Sequence, residues 1–364
     1  MLTGRALNRA TLHRQLLLER VRMPAYDAAR HLVGLQAQVP LVPYISLWNR
    51  LDGFDPAELS GLMVDRSVVR TPLMRTTIHT VTAADALAMR PLMQPVLTRT
   101  FAGTSFGQQL RGDDLAKVVA TARELISEQP LGRAELGRLL HERYGHLDAD
   151  SMALAVSYLV PAVQPTPRGE WGRSGRPAWL AVEAWLDGRA EPAMTPDDLV
   201  VRYLTAFGPA SVKDIQAWCG LTRLREVVDR LGDRIRRLSG PDGRELVDVP
   251  DGPLPDPETP APPRFFGEYD NAILGYADRA RIVADAPHQP LQGGTGGYVG
   301  SLLVDGLVSA MWALRRAGDS SVLEIRQSVP LPKAHRSAVL AEAAGLLELL
   351  APGRGYDVQV TGPG

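Results

Sequence analysis

A threefold repeat of predicted secondary structure constrains the fold more than any other feature of this sequence. Three times along the chain, amphipathic helical segments are followed by two short alternating segments that are typical of a β hairpin. Helices followed by a short hairpin describe a winged helix-turn-helix, and repetition at this spacing favours a tandem array over one large mixed domain. The three predicted units span residues 1–112, 113–194 and 195–250.

The remainder of the sequence predicts a linker and a smaller unit of a different kind. Residues 251–263 are rich in proline and predict a segment laid over the surface. Residues 264–364 contain Asp305-Gly306 between two alternating segments, which is the strongest short hairpin signal in the chain. The predicted class is therefore mainly α with β hairpins, an α+β fold in which tandem winged helix-turn-helix domains precede a small β-rich C-terminal unit.

Composition and charge exclude several classes of protein. The 364 residues are 45% hydrophobic, as in ordinary globular proteins, and no apolar run approaches the roughly 18 residues of a membrane span. The N-terminal segment mixes arginine and glutamate among leucines, unlike a signal or transit peptide, so we expect a cytoplasmic protein without a membrane partner. The net charge of -1 argues against a histone-like basic coat. Arginine far outnumbers lysine, which suits phosphate contacts but is equally the product of a GC-rich genome.

The sequence offers no convincing metal or phosphate-loop motif. Cys219 is the single cysteine, which excludes an internal disulfide framework and a Cys-rich zinc site. His141 and His146 are five residues apart and would not share a helix face as a metal-binding pair does. The Gly-rich run 293–297 lacks the Lys-Ser/Thr that follows a phosphate loop. We therefore expect neither a metal nor a cofactor.

Two glutamines, Gln36 and Gln38, flank one small apolar residue at the end of an apolar segment. Apolar spacing from Pro24 predicts a helix that Pro40 ends, with both glutamines in its last turn. Each amide offers two donors and a carbonyl acceptor without a charge, so the pair could fix a water molecule or place oxygen lone pairs beside a developing cation. Two capping or surface glutamines are the alternative interpretation.

Three further side chains are candidates for a site. Arg75 and His79 are four residues apart in an alternating segment, so both are expected on the same side of a strand, where they could face a ligand. Ordinary buried polar packing is the alternative for both. Asp270 stands between two apolar stretches and is either a helix N-cap or a site residue.

The predicted tip of the second wing, residues 168–176, combines basic side chains with an aromatic ring. Such a mixture suits phosphate contact and base stacking. A solvated hairpin is the alternative, because a few arginines on a turn are common in a chain this rich in them. The candidate DNA-binding residues of this tip are Arg168, Trp171, Arg173 and Arg176.

Taken in order, the motifs of this chain resemble those of bacterial winged-helix proteins of the AlkZ and AlkX (YcaQ) DNA glycosylase superfamily, and the resemblance covers nearly the whole chain. The Gln-apolar-Gln form is similar to the AlkZ-like branch, which is associated with self-resistance to DNA-alkylating natural products, whereas the YcaQ-like branch has Asp at the second polar position. The motifs are Gly34-Leu35-Gln36-Ala37-Gln38, Leu73-Met74-Arg75-Thr76-Thr77-Ile78-His79, Arg202-Tyr203-Leu204-Thr205-Ala206-Phe207-Gly208-Pro209-Ala210, Glu268-Tyr269-Asp270-Asn271-Ala272-Ile273-Leu274-Gly275-Tyr276-Ala277-Asp278-Arg279 and Leu303-Val304-Asp305-Gly306.

The resemblance implies a site and an activity. Gln36 and Gln38 would be the catalytic pair, and three tandem winged helices would form a C-shaped scaffold whose concave face holds duplex DNA carrying alkylated guanine. The expected activity is that of a monofunctional, monomeric DNA glycosylase that excises N7-alkylguanine, with interstrand crosslinks as a candidate substrate. A winged-helix transcription regulator that only reads DNA is the alternative, and sequestration of a drug without chemistry is a third hypothesis.

The chemistry of the expected substrate is compatible with neutral catalytic side chains. Alkylation at N7 puts a positive charge on guanine, and departure of the base from C1′ relieves that charge and needs little help from an acid. The protein need only guide a water molecule and stabilise the oxocarbenium character of the sugar. An amide is a weak base compared with a carboxylate, which this leaving group tolerates.

Overall fold

The computed structural model describes residues 1–283, 298–317 and 319–362 of the chain. They form helices, antiparallel hairpins and a five-stranded sheet, so the α+β class is confirmed. The Gly-rich run 293–297 lies outside the described residues. Within the described ranges, no helix has the length and apolar character needed to cross a membrane.

Residues 1–112 form helices around a small sheet. The elements are α1 (Gly4–Arg14), α2 (Ala25–His31), β1 (Leu35–Gln36), α3 (Val42–Trp48), α4 (Pro56–Val64), β2 (Val68–Pro72), β3 (Ile78–Thr82), α5 (Ala83–Gly103) and α6 (Ser105–Gln109). Polar residues before α1, α4 and α5 accept hydrogen bonds from the first-turn N–H groups, which is why these helices begin where they do. The strand order is β1-β3-β2, with β1 and β2 both antiparallel to β3.

The glutamine pair does not lie in a helix, and the prediction of one helix from Pro24 to Pro40 was wrong. Helix α2 ends at His31, and Val33 and Gly34 then turn the chain with φ angles of 55° and 92°. A Cβ at Gly34 would lie 2.4 Å from a methyl carbon of Val81, so glycine is required where the turn meets β3. The apolar residues of this segment are buried in either conformation, which is why their spacing did not reveal the turn.

The next two units contain helices and shorter hairpins. The second unit has α7 (Gly112–Glu128), α8 (Arg133–Arg143), α9 (Ala149–Leu159), β4 (Ala162–Val163), β5 (Leu180–Ala181) and α10 (Val182–Trp185). The third has α11 (Pro196–Phe207), α12 (Val212–Cys219), α13 (Leu224–Arg230), β6 (Arg236–Ser239) and β7 (Glu245–Asp248). Ser211 and Asp214 form a reciprocal capping box at the start of α12.

A short extended segment follows α2, α7 and α11 and pairs with the second half of the hairpin of its unit. In the first unit this segment is β1, which pairs with β3. Isolated antiparallel bridges take its place in the other two, Leu131 with Trp179 and Ala210 with Val247. Helix, short extended segment, two helices and hairpin therefore follow one another in each unit, and in the first unit α1 precedes this series.

The C-terminal unit is a mixed sheet covered by one long helix. Its elements are β8 (Arg264–Gly267), α14 (Asn271–Leu274), β9 (Tyr298–Val304), β10 (Leu307–Ala317), β11 (Ser320–Gln327), α15 (Lys333–Leu350) and β12 (Gly355–Thr361), in the strand order β12-β11-β10-β9-β8. The predicted hairpin at Asp305-Gly306 is confirmed, because Val304 pairs with Leu307 and both turn residues have positive φ. Strand β12 runs parallel to β11, which the crossover through α15 requires.

A buried ion pair joins the C-terminal unit to the first unit. Arg50 Nη2 lies 2.8 Å from Asp270 Oδ1 and Arg50 Nη1 lies 3.0 Å from Oδ2, and both side chains are 1% exposed. Burial alone would raise the pKa of Asp270, but the charge and hydrogen bonds of Arg50 lower it below its usual value. The ionised carboxylate also accepts from the backbone N–H of Ala272 and so fixes the start of α14.

We predict that this ion pair is required for stability. Replacing Asp270 with Ala leaves the charge of Arg50 buried and unpaired, which should lower the free energy of unfolding by about 3 to 5 kcal/mol. Denaturant unfolding would measure the change. Asp52→Ala is the matched control, because the Arg22–Asp52 pair is 89% and 52% exposed and should change stability by less than about 1 kcal/mol. Equal effects of the two substitutions would contradict the prediction.

Candidate active site

Gln36 lies at the end of β1, directly opposite His79 of β3. The residue is 7% exposed. Its side chain accepts a hydrogen bond from Arg75, which is bonded in turn to Asn271, so β1, the turn between β2 and β3, and α14 meet at this point. The sheet and the start of α14 therefore build the site together.

The Arg75 side chain is the centre of this network. Its Nη2 donates to Gln36 Oε1 at 2.8 Å and to Asn271 Oδ1 at 2.7 Å, and it lies 3.5 Å from His79 Nε2. Arg75 and His79 do converge, but the predicted reason was wrong. Strand β2 ends at Pro72, and Arg75 lies in the tight turn that follows, where its backbone is left-handed with a φ of 52°.

His79 is completely buried and neutral. Its Nδ1 lies 2.9 Å from the carbonyl oxygen of Thr77, which can only accept, so Nδ1 carries the proton and Nε2 presents a lone pair to Arg75. Burial and then the charge of Arg75 lower the pKa of His79 to about 3. With 0% exposure the ring has no surface that DNA could contact, and it packs against the Arg75 guanidinium on the protein side.

Arg75 carries a positive charge, and no carboxylate of the described residues accepts a hydrogen bond from it. Burial and then the nearby charge of Arg279 lower its pKa to about 10, so the guanidinium is still cationic at neutral pH. Its hydrogen-bond partners in the described part of the chain are amide oxygens and an imidazole. Its Nη1 is buried without a partner. The site is therefore positively charged and has an unused donor.

Asn271 is a site residue that the sequence reasoning missed. It is the first residue of α14, 6% exposed, and its Oδ1 accepts from Arg75 while its Nδ2 donates to the carbonyl oxygen of Gly34 at 3.1 Å. No local pattern identifies it, because its partner Arg75 is 196 positions away in the sequence.

Gln38 is the exposed member of the glutamine pair. Its Oε1 accepts weakly from the backbone N–H of Ile78 at 3.3 Å. Between the two glutamines, the Ala37 N–H donates to the Ile78 carbonyl, and the Ala37 carbonyl accepts from Arg70 Nη2 at 2.8 Å. The backbone is thus held firmly while the second amide faces outward.

Asp270 does not occupy a position from which it could contact DNA. The residue is 4% exposed, and Arg50 bonds both of its oxygens, with Ser46 also donating to one. A contact with DNA would require breaking the buried ion pair. Of the two interpretations of Asp270 from the sequence, the helix N-cap is the one that the structure supports.

The segment 168–176 is docked on the first unit and is not a free hairpin tip. The Trp171 ring packs on Tyr44 with ring centroids 4.8 Å apart, and the Tyr44 hydroxyl donates to the Gly169 carbonyl at 2.7 Å. Arg168 Nη1 donates to the carbonyl of Gly175 within the loop. The alternative interpretation of this segment as a solvated hairpin therefore does not fit the structure, and the contact with Tyr44 was not predictable from the local sequence.

Two arginines of this segment do reach solvent. Arg173 is exposed and pairs with Glu170 at 3.3 Å, and Arg176 is exposed. Strands β4 and β5 have two residues each, so a long loop between them carries both arginines. In the described part of the chain, no cluster of three or more His, Cys, Asp or Glu side chains is arranged to hold a metal ion.

Comparison with known proteins gives three findings. The family model described as "DNA glycosylase AlkZ-like" matches residues 29–349, which contain the whole Arg75 network. The interstrand DNA cross-link repair glycosylase of Streptomyces sahachiroi is 21% identical over 334 residues, which are 83% of this chain and 85% of that protein. The solved structure of the Streptomyces sahachiroi DNA glycosylase AlkZ has a TM-score of 0.70 at 18% identity, covers 99% of this chain and 100% of that one, and so shows a shared fold.

We predict that the buried neutral imidazole makes the protein sensitive to acid. The folded-state pKa of His79, about 3, lies below the ordinary value of 6.5. The contribution of the neutral imidazole to the free energy of unfolding is therefore present above pH 6.5 and is lost at lower pH, where the unfolded chain takes up a proton that the folded chain does not. Between about pH 6.5 and 5, wild type should lose roughly 2 kcal/mol more free energy of unfolding than His79→Gln. Urea denaturation at each pH measures this, and parallel curves for the two proteins would contradict the placement of His79.

Proposed function

The chain belongs to the AlkZ-like DNA glycosylase family, and we propose that it is a monofunctional glycosylase that hydrolyses the N-glycosidic bond of N7-alkylguanine in duplex DNA. Interstrand crosslinks formed through such adducts fall within the proposed substrate class, because the Streptomyces sahachiroi relative is named a cross-link repair glycosylase. Self-resistance to a DNA-alkylating natural product is the proposed biological role, and the proposed acting form is a monomer in the cytoplasm.

The observation that carries this proposal is the state of the glutamine pair. Gln36 is buried and held by a guanidinium, while Gln38 projects from the same extended segment into solvent. Two amides, one fixed and one accessible, suit a reaction in which water meets a sugar that is becoming an oxocarbenium ion. Among the described residues no carboxylate shares a hydrogen bond with either amide, and the nearby Asp270 is bonded to Arg50, so a strong general base is not part of the proposal.

The leaving group explains why such a site would be sufficient. A base that is already cationic leaves as a neutral molecule when it takes the electron pair of the C1′–N9 bond, so no proton needs to be delivered. A neutral lesion such as O6-alkylguanine or uracil lacks this advantage and should not be processed. The proposed substrate class is therefore limited by chemistry, and an open concave surface would accommodate bulky adducts better than a deep base-flipping pocket.

The proposed DNA surface is built from the three units. We interpret their common connectivity as that of tandem winged helices that form a C-shaped scaffold around the duplex. Exposed Arg173 and Arg176, on the loop docked beside the first unit, are proposed phosphate contacts, and the Arg75 charge adds to the field at the site. Arg168 contributes by shaping this loop through its bond to Gly175.

A transcription regulator is the less favoured function. Reading bases would require accessible donors on a recognition helix, and the arginines of α13 are engaged elsewhere. Arg225 pairs with Glu245, and Arg230 pairs with Asp197. Membership of a DNA glycosylase family also disfavours a regulator.

We predict release of N7-alkylguanine and its loss when the glutamines are replaced. A duplex with a defined N7-methylguanine, incubated with the protein and then treated with alkali, should be cleaved at the resulting abasic site. Gln36→Ala or Gln38→Ala should slow this by about 10 to 10⁴-fold with little change in duplex affinity, as for loss of one positioned polar group. Gln129→Ala, an exposed glutamine after α7, is the control and should have the wild-type rate.

Each failure of this experiment has a distinct meaning. Full activity in the Gln36→Ala, Gln38→Ala double variant would remove the pair from catalysis. Adduct binding without any base release by wild type would favour sequestration over hydrolysis. Neither outcome depends on which natural product makes the adduct.

We also predict binding that is dominated by phosphates. Affinity for undamaged duplex should fall at least about tenfold between roughly 50 and 200 mM salt and vary little with sequence. Arg176→Gln should reduce the slope of log affinity against log salt by about 1, whereas the ion-paired Arg225→Gln should not change it. Strong discrimination among undamaged sequences at constant salt would instead support the regulator.

A further inference from the structure

We propose that Gln36 acts as a hydrogen-bond donor to an acceptor atom of the leaving purine, and that Arg75 and Asn271 are the positioning residues that impose this role. This inference rests on the proposed function and gives the two glutamines different roles. Gln38, the exposed amide, is then the member free to guide the water molecule.

The orientation of the Gln36 amide is chemically determined. A guanidinium has donors and no acceptor, so the atom of Gln36 that lies 2.8 Å from Arg75 Nη2 must be the carbonyl oxygen. The amide NH2 group therefore points away from Arg75. A carbonyl that already accepts from a cation is also a poorer acceptor for water, because its electron density is drawn toward the guanidinium.

Arg75 is held so that it cannot easily release this carbonyl. Asn271 accepts from the same Nη2 at 2.7 Å, and Asn271 is itself tied to Gly34, two residues before Gln36, at 3.1 Å. The backbone of Arg75 is in the left-handed region, and its Nη2 lies beside the neutral His79 ring. These contacts form a closed ring of interactions from Gln36 to Arg75, Asn271 and back to the β1 segment.

The result is a site with an excess of donors. The NH2 group of Gln36 and the unpartnered, buried Nη1 of Arg75 are donors, whereas the Gln36 oxygen is engaged. Such a site fits an atom that gains electron density during the reaction. In the proposed hydrolysis the C1′–N9 bond breaks and its electron pair moves onto the purine, which cancels the cation and enriches acceptors such as O6 and N3. Water adds to C1′, and its proton passes to solvent, so the products are a neutral alkylguanine, an abasic sugar and a proton.

A single isosteric substitution tests the donor role. Glu at position 36 retains an oxygen for Arg75 and has the same shape, but it has no donor. We expect Gln36→Glu to slow single-turnover base release at saturating protein by about 10- to 10³-fold, close to the loss in Gln36→Ala. Gln129→Glu adds the same charge on an exposed site and should leave the rate unchanged.

The outcomes separate this inference from the function on which it rests. A Gln36→Glu rate equal to or above that of wild type would show that the oxygen is the working atom and would overturn the donor role, while glycosylase activity itself would stand. Wild type without base release would refute the proposed function instead. Duplex affinity and denaturant unfolding of each variant establish that it is folded and bound.

Variants of Asn271 test the positioning role separately. Asn271→Ala removes an acceptor of Arg75, so the Gln36 amide should rotate more freely and kcat should fall about tenfold with KM unchanged. Asn271→Asp keeps an acceptor for Arg75 but loses the donor to Gly34 and pairs with the Arg75 charge, so it should recover only part of the lost rate. A purely structural role would lower the unfolding midpoint in both variants and leave kcat at the wild-type value, which would overturn the assignment.

Discussion

The hydrogen bond from Arg75 to Gln36 connects the fold to the proposed chemistry, and the arrangement of the whole site depends on it. Three elements must meet to form it: the short strand β1, the turn after β2 and the first residue of α14. The buried Arg50–Asp270 pair supports this hydrogen bond without taking part in it. It fixes where α14 begins and therefore the position of Asn271. The ion pair is therefore a condition for the site and not a part of it.

The charge of Arg75 is balanced by dipoles and not by a carboxylate, which has a chemical consequence. Amide oxygens stabilise a buried guanidinium without neutralising it, so the site keeps a positive character that attracts DNA and favours acceptor atoms. A carboxylate in the place of Gln36 would have formed an ion pair with Arg75 and would have lost the NH2 donor. Under the proposed donor role, a neutral side chain at this position keeps both the cation and the donor available to the substrate.

Local features of the fold could be predicted from the sequence, whereas contacts between residues far apart in the chain could not. The Asp305-Gly306 hairpin was predictable because its two residues determine the turn by their own positive φ angles. The strand that carries Gln36 was not, since an apolar segment is buried equally well as helix or strand, and the positive φ of Gly34 and the lack of space beside Val81 are visible only in the folded structure. The partnership of Arg75 with Asn271, 196 positions apart, and the docking of Trp171 on Tyr44 depend on tertiary packing that no spacing encodes.

The most direct measurement is a crystal structure of the protein bound to a duplex that contains 2′-fluoro-N7-methyl-2′-deoxyguanosine. The fluorine disfavours an oxocarbenium ion at C1′, so the glycosidic bond survives and the complex before reaction can be seen. The account predicts that the Gln36 oxygen remains on Arg75 and that its nitrogen lies within about 3.2 Å of an acceptor atom of the purine. A Gln36 oxygen turned toward an ordered water, with Arg75 released to a phosphate, would contradict it.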